Sequence, residues 1–165
     1  MRVKEVMMSQ SEKNTKYGRV VNVCTSPAKG TAKRPVRQIT LIAGFGIEGD
    51  AHAGKWHRQV SLLARESHAA MLAKGAEVTH GDFGENIVTE GINLVKLPVG
   101  SLLKLGSSVI GRVTQIGKKC HAHCQIFHTV GDCIMPREGI FIEILQGGTL
   151  TENDEIEVDC GEPAG

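Results

Sequence analysis

The sequence predicts a mostly β domain, a closed or strongly curved barrel-like structure carrying one or two short helices. Three observations predict it. Short Val/Ile/Leu segments of strand length recur along the chain, separated by Gly, Pro, Asn and Asp turns. The chain holds 20 glycines, the residue that turns and bulges at barrel corners need for positive φ or close backbone approach. One segment alone, RESHAAMLAKG (65–75), has a convincing helical composition, with Glu66 in its first turn and Gly75 placed to stop it.

Taken in order, residues 1–17 are polar without a steady period and are expected to form a flexible tail or a short docking arm. GRVVNVCTS (18–26) is a β-branched run that ends at Ser26-Pro27, PVRQITLIA (35–43) alternates as a strand, and RQVSLLA (58–64) is a third. After the helix come GENIVTEG (84–91), VGSLLKLGSSVIGRVTQIG (99–117), GIFIEILQGG (139–148) and DEIEVD (154–159). LPVGSLLKLG (97–106) and LTENDEIEVD (150–159) echo each other, each a turn feeding an alternating strand. The expected organisation is one domain over 18–160, with a flexible C-terminus at 161–165. Aromatic residues make up 4%, so the core must be built mainly from Val, Ile and Leu.

Charge and apolar runs narrow the function classes. Lys+Arg number 19 against Asp+Glu 18, which gives no global field to attract nucleic acid or an anionic membrane, so any anion site must be a local cluster. No apolar run reaches the length of a membrane span or a secretory signal. Five cysteines without a signal point to free thiols in a reducing cytoplasm.

Four stretches carry candidate chemistry. AGFGIEGD (43–50) contains GxGxxG at Gly44, Gly46 and Gly49, but AHAGKWHRQ comes next where a dinucleotide site needs a helix, so a glycine loop of another kind is expected. There Asp50, His52 and His57 lie near Lys55 and Arg58, either as a polar rim for an anionic ligand or as a solvated turn. TSPAKGTAKRPVR (25–37) sets Lys29, Lys33, Arg34 and Arg37 among small residues, which suits an oxyanion as well as simple solvation. GDFGENIVTEGINL (81–94) offers Asp82, Glu85, Asn86 and Glu90 as ligand partners or as turn formers.

The fourth, GKKCHAHCQIF (117–127), holds Cys120, His121, His123 and Cys124 directly after Lys118 and Lys119, with His128 and Cys133 beyond. Two chemistries suit it. The lysines would lower a cysteine pKa and make a thiolate, the species that attacks or ligates. Alternatively the Cys/His knot is a zinc-like metal-binding module, although its single C-x3-C spacing lacks the second pair of a closed tetrahedral site. Half-buried structural thiols are the third option. Cys24, in a strand, and Cys160 are expected to be structural.

In order along the chain, GRVVNVCTSPAKG, GIEGDAHAGKWHRQVSLLARES, GDFGENIVTEGINLVKLPVGSLLKLG, VTQIGKKCHAHC and GIFIEILQGGTLTENDEIEV resemble the MOSC domain, the C-terminal portion of molybdenum cofactor sulfurases. The resemblance spans residues 18 to about 159, and the form GKxCHxxC followed by VGDCIMPREGIF is similar to small stand-alone bacterial members. It implies a barrel-like fold and a protein that binds the molybdenum cofactor (molybdopterin) or carries sulfur during its biosynthesis or maturation. It implies that Cys120 is the working thiol and a molybdenum ligand, with Cys124 a competing sulfur. Lys29, Lys33 and Arg58 would bind the cofactor's phosphate and pterin edge, and Asp50, His52, Gln59, Glu85, Asn86, Lys118 and Lys119 would line the same pocket. The family's Gln-Pro-Arg-x-Pro-Cys segment appears here as Gln115-Ile116-Gly117-Lys118-Lys119-Cys120. Expected partners are cofactor-biosynthesis proteins, for which the chain could also be a non-catalytic adaptor, or a cysteine desulfurase-type sulfur donor, because the resemblance does not extend to the pyridoxal phosphate domain of the sulfurases.

Overall fold

The computed structural model describes residues 15–29, 31–75, 77–118 and 134–159. Its spine is strand β1 (Thr15–Thr25), long enough to serve three partners. Thr15–Arg19 pairs antiparallel with β11 (Glu155–Asp159), Arg19–Val23 with β6 (Ile87–Glu90), and Val23–Thr25 with β2 (Arg34–Val36). An irregularity between Val20 and Asn22 bends β1 so that it can leave one partner for the next.

From β11 the sheet runs through β7 (Leu102–Leu105), β8 (Val109–Ile116), β9 (Ile140–Gln146) and β5 (Val60–Ala64) to β6, and so back to β1. Seven strands therefore close into a barrel, with β2 appended at one margin. All pairings are antiparallel except β5 with β6. That parallel pair needs a crossover, and helix α1 (Arg65–Ala73) supplies it. Gly75, at φ +92, ends the helix where the sequence places the stop. The echoing segments 97–106 and 150–159 end as neighbouring strands, β7 against β11. A second sheet of three strands, β10 (Gly148–Thr151), β3 (Gln38–Ile42) and β4 (Gly46–Ile47), lies outside the ring. A second short helix, α2 (Met135–Glu138), precedes β9.

The core agrees with the composition. The main cluster, Val20, Leu62, Ile87, Leu103, Val113, Ile142 and their neighbours, contains no aromatic residue among the described residues. A smaller cluster behind β5 gathers Leu63, Met71, Val78, Phe83, Ile134, Met135 and Phe141. β5 is buried at every position because it packs between the two, which is why VSLLA lacks the alternation of a half-exposed strand.

Two expectations are corrected. PVRQITLIA is not one strand. Pro35, with no N–H to donate, sits in the edge strand β2, and the chain then breaks at Arg37 and enters β3 in the other sheet. β1 also begins at Thr15, inside the segment expected to be a tail, because β11 offers it an edge to pair with.

The turn at Gly81 anchors the backbone of Lys33. Gly81 has φ +95, and its carbonyl accepts the Lys33 N–H at 2.7 Å. A Cβ there would lie 2.2 Å from the Lys33 carbonyl oxygen, whereas nothing lies within 4 Å of a Cβ at Gly75. Both positions are left-handed, so Gly75→Ala measures the conformational penalty alone, about 1 kcal/mol. Gly81→Ala should cost about 1–3 kcal/mol more because backbone must move. Chemical denaturation of the two variants checks the difference, and equal losses would contradict the close approach.

Candidate functional site

Loops from distant parts of the chain meet around one buried ion pair. Lys33 and Asp50 both have fully buried side chains, with Lys33 Nζ 2.8 Å from Asp50 Oδ1. The ammonium has three protons, and three acceptors surround it: Asp50, Ser26 Oγ at 3.2 Å and His52 Nδ1 at 3.1 Å. Asp50 in turn accepts the backbone N–H of Ser26 at 3.1 Å and of His52 at 3.0 Å. Burial alone would raise the Asp50 carboxyl, but the Lys33 hydrogen bond and charge, with these two amides, hold it below its ordinary range. Lys33 is therefore no solvated loop lysine: it is 1% exposed.

The pair fixes the state of His52. An ammonium can only donate, so Nδ1 must accept, and the neutral ring carries its proton on Nε2. Burial, then the charge of Lys33 and more distantly of Lys118 and Lys29, pushes the His52 pKa down to about 4 despite Asp50. At neutral pH His52 is an uncharged ring.

Trp56, half-buried, joins this core to the cations that remain. Its Nε1–H donates to the His52 carbonyl at 2.7 Å, and its ring stacks on the imidazole at 6.4 Å with 6° between planes. Lys29 Nζ lies 5.1 Å from the Trp56 ring centroid and Arg58 Cζ 4.7 Å, within cation–π range. Arg58 also lies 5.7 Å over the Phe141 ring from β9. Its Nε is shielded from solvent and has no hydrogen-bond partner among the described residues. Nor, among them, does any carboxylate form an ion pair with Lys29, Arg58 or Lys118.

The end of β8 is tied to the same loop. Gln115 Nε2 donates to the Gly117 carbonyl at 2.7 Å, which leaves its Oε1 to accept from His57 Nε2–H at 2.8 Å. The backbone of Lys118 is pinned by its N–H to the Pro136 carbonyl at 3.2 Å, one residue after Gly117 bonds Gly139. The structure therefore brings together Lys29, Lys33, Asp50, His52 and Arg58, and the charge of Lys118 reaches His52.

It does not bring Gln59, Glu85 and Asn86 to that surface. All three are buried, at 3%, 0% and 0% exposure, with protein partners. Gln59 Oε1 accepts the Ile144 N–H at 2.8 Å. Glu85 accepts the Phe83 N–H and pairs tightly with His68. Asn86 braces three strands, accepting the Ser61 N–H of β5 and donating to the Cys24 carbonyl of β1. Cys24 is buried beside them, and burial followed by the Glu85 charge pushes its thiol up to about 12, so it stays protonated. Cys120, Cys124 and Lys119 lie outside the described residues, as do His121 and His123. Trp56 and Phe141 are site residues that the sequence does not single out. The available signal for Trp56 is a lone Trp set among Lys55, His57 and Arg58.

Comparison with known proteins agrees with this fold. Residues 49–157 match the family model for the MOSC domain. Among solved structures the chain is similar to the YuaD protein from Bacillus subtilis, with TM-score 0.76 and 18% identity over 90% of this chain and 98% of that one. It is also similar to YiiM from Escherichia coli (TM-score 0.65, 17% identity, 90% and 72% of the two chains). YiiM from Geobacillus stearothermophilus gives TM-score 0.60 at 17% identity over 86% and 72%. At such identities the likeness is one of fold. No curated protein matches the chain.

The ion pair generates two expectations. Lys33→Met strands a buried carboxylate and should cost about 3–5 kcal/mol, while Lys33→Met/Asp50→Leu should recover much of it. Equal losses in both variants, by urea titration, would mean that the cost does not come from the stranded carboxylate. Because His52 takes up its proton only near pH 4 when folded, the unfolded chain protonates first as pH falls from about 6.5. Stability should then drop between those values by roughly 2–3 kcal/mol. His52→Gln should flatten that part of the profile.

Proposed function

The chain belongs to the MOSC domain family, and on that premise we propose that it binds an anionic cofactor of the molybdopterin type and presents Cys120 to it. The observation that carries this reading is the pair of cations Lys29 and Arg58 at the Trp56 ring, with the charge of Lys118 also felt at His52 and no carboxylate among the described residues to neutralise them. Leaving a guanidinium half-buried with no ion-pair partner among the described residues is costly unless a ligand supplies the counter-charge. The residues present fit such a ligand: three positive groups, an aromatic face, and a neutral imidazole that adds no further charge.

In this reading Arg58 and Lys29 bind the phosphate, and Lys118 adds charge beside the chain that leads to Cys120. The bound cofactor supplies a redox-active metal. Lys33 and Asp50 act from inside, holding His52 in its neutral form and the loop in place, rather than touching the ligand. Gln115 and His57 hold the end of β8 against that loop. The same cationic setting favours the thiolate form of a nearby cysteine, the form that ligates or attacks.

In the related role of sulfur carrier, the Cys120 thiolate would attack the outer sulfur of a donor persulfide. The donor S–S bond breaks, the donor leaves as a thiolate, and Cys120 keeps the sulfur as its own persulfide, with no net oxidation. Anaerobic native mass spectrometry separates the outcomes. The binding reading expects bound pterin in wild type, retained in Cys24→Ser and lost in Cys120→Ser and Arg58→Ala. A one-sulfur adduct on Cys120 without pterin would assign the carrier role instead. Wild-type behaviour in Cys120→Ser would remove that cysteine from both.

A further inference from the structure

Trp56 is the chain's single tryptophan, and its contacts give it a task beyond offering an aromatic face. The Lys29 ammonium and the Arg58 guanidinium come from different loops, one after β1 and one before β5, and both lie over its ring, at 5.1 Å and 4.7 Å from the centroid. They can be no farther apart than about twice those distances, comparable with the Debye length of roughly 10 Å at 0.1 M salt, so they repel one another. Each is also a long side chain with about 2 kcal/mol of rotamer entropy to lose on being held still. Neither has an ion-pair partner among the described residues that would hold it. The Trp56 ring is the contact the two cations share, with Phe141 a second one for Arg58, and its negative quadrupole attracts both cations and offsets their repulsion. The ring is fixed in turn by its Nε1–H bond to the His52 carbonyl, and His52 is fixed by Lys33 and Asp50.

We propose that Trp56 is a positioning residue that holds Arg58 and Lys29 at one ring, so that together they clamp a phosphate-type oxyanion. This rests on the proposed anion site. Arg58 presents its fork of N–H donors as a pre-oriented plane, braced on the other contact by Phe141, and Lys29 adds a point charge. The anion then competes with the ring for the cations, so binding alters the surroundings of the indole.

Inorganic pyrophosphate is the probe, titrated by calorimetry at low ionic strength into the full chain. Wild type binds, and Arg58→Ala and Lys29→Ala each weaken binding. Trp56→Leu weakens it about five- to thirty-fold, the range a partly desolvated cation–π contact supports, and Trp56→Phe recovers most of the loss. The Arg58→Ala penalty shrinks in the Trp56→Leu background, a coupling that a merely structural role would not produce. In wild type, pyrophosphate changes the emission of the sole tryptophan, a readout that needs no variant to fold.

Trp56→Leu binding as tightly as wild type, penalties that multiply independently, or unchanged emission on saturation would each overturn the proposal while leaving the anion site in place. Absence of binding by wild type, or indifference to both Arg58→Ala and Lys29→Ala, would overturn the anion site and the clamp with it.

Discussion

Much of the structure at this end of the barrel depends on one lysine placed where lysines rarely go. Lys33 is fully enclosed, and its charge is tolerated because Asp50, Ser26 and His52 use all three of its protons. The bond network crosses three loops. Lys33 ties the segment after β1, Asp50 and His52 belong to the glycine loop before β5, and the Lys33 amide bonds Gly81 in the turn before β6. A buried ion pair with its remaining lone pairs satisfied by backbone amides contributes little net stability over an apolar replacement. What it does is tie the three loops to one another.

The electrostatic consequence extends past the pair. Two basic residues of similar sequence context, Lys29 and Lys33, end in opposite conditions. The charge of Lys33 is cancelled internally, while Lys29 joins Arg58 against Trp56 without a counter-ion among the described residues. His52 stands between the two groups and is kept neutral by burial and by the cations around it. An almost neutral chain, with 19 basic against 18 acidic side chains, thus acquires a local positive region. It does so by choosing which cations to neutralise, not by accumulating more of them.

The fold is largely legible in the sequence because its signals are local. Strand-length Val/Ile/Leu runs between turn residues mark every barrel strand, and the scarcity of aromatics announces an aliphatic core, as observed in the main cluster. The break at Arg37 is not legible, because PVRQITLIA alternates smoothly and only long-range pairing assigns its halves to different sheets. The site is legible as residue types but not as roles. Asp50, His52, Lys29 and Arg58 do converge, yet nothing local distinguishes a lysine that will be buried from one that will be exposed. Glu85 and Asn86 carry the polar types expected of a pocket. Asn86 directly precedes the buried strand Ile87–Glu90, and that position turns it into a brace between β1, β5 and β6. Trp56 is hidden for a different reason: it carries no charge and no ligating atom, and its effect lies in organising the cations that do.

The same electrostatics sort the thiols. A cysteine acts as nucleophile or ligand through its thiolate, so the relevant question is which charges lie near it. Cys24 is buried with the Glu85 carboxylate as its strongest charged influence, and Lys33, already committed to Asp50, only partly offsets it. Its thiol stays protonated through the physiological range, and it behaves as a small apolar side chain in β1. A working thiol in this protein therefore needs uncompensated cations rather than burial. The described chain approaches that condition at Lys118, whose backbone is pinned to Pro136 while its charge has no ion-pair partner among the described residues. Cys120 comes two residues later in the sequence, so the proposal of reactivity at Cys120 and not at Cys24 rests on where the barrel leaves its positive charge uncancelled.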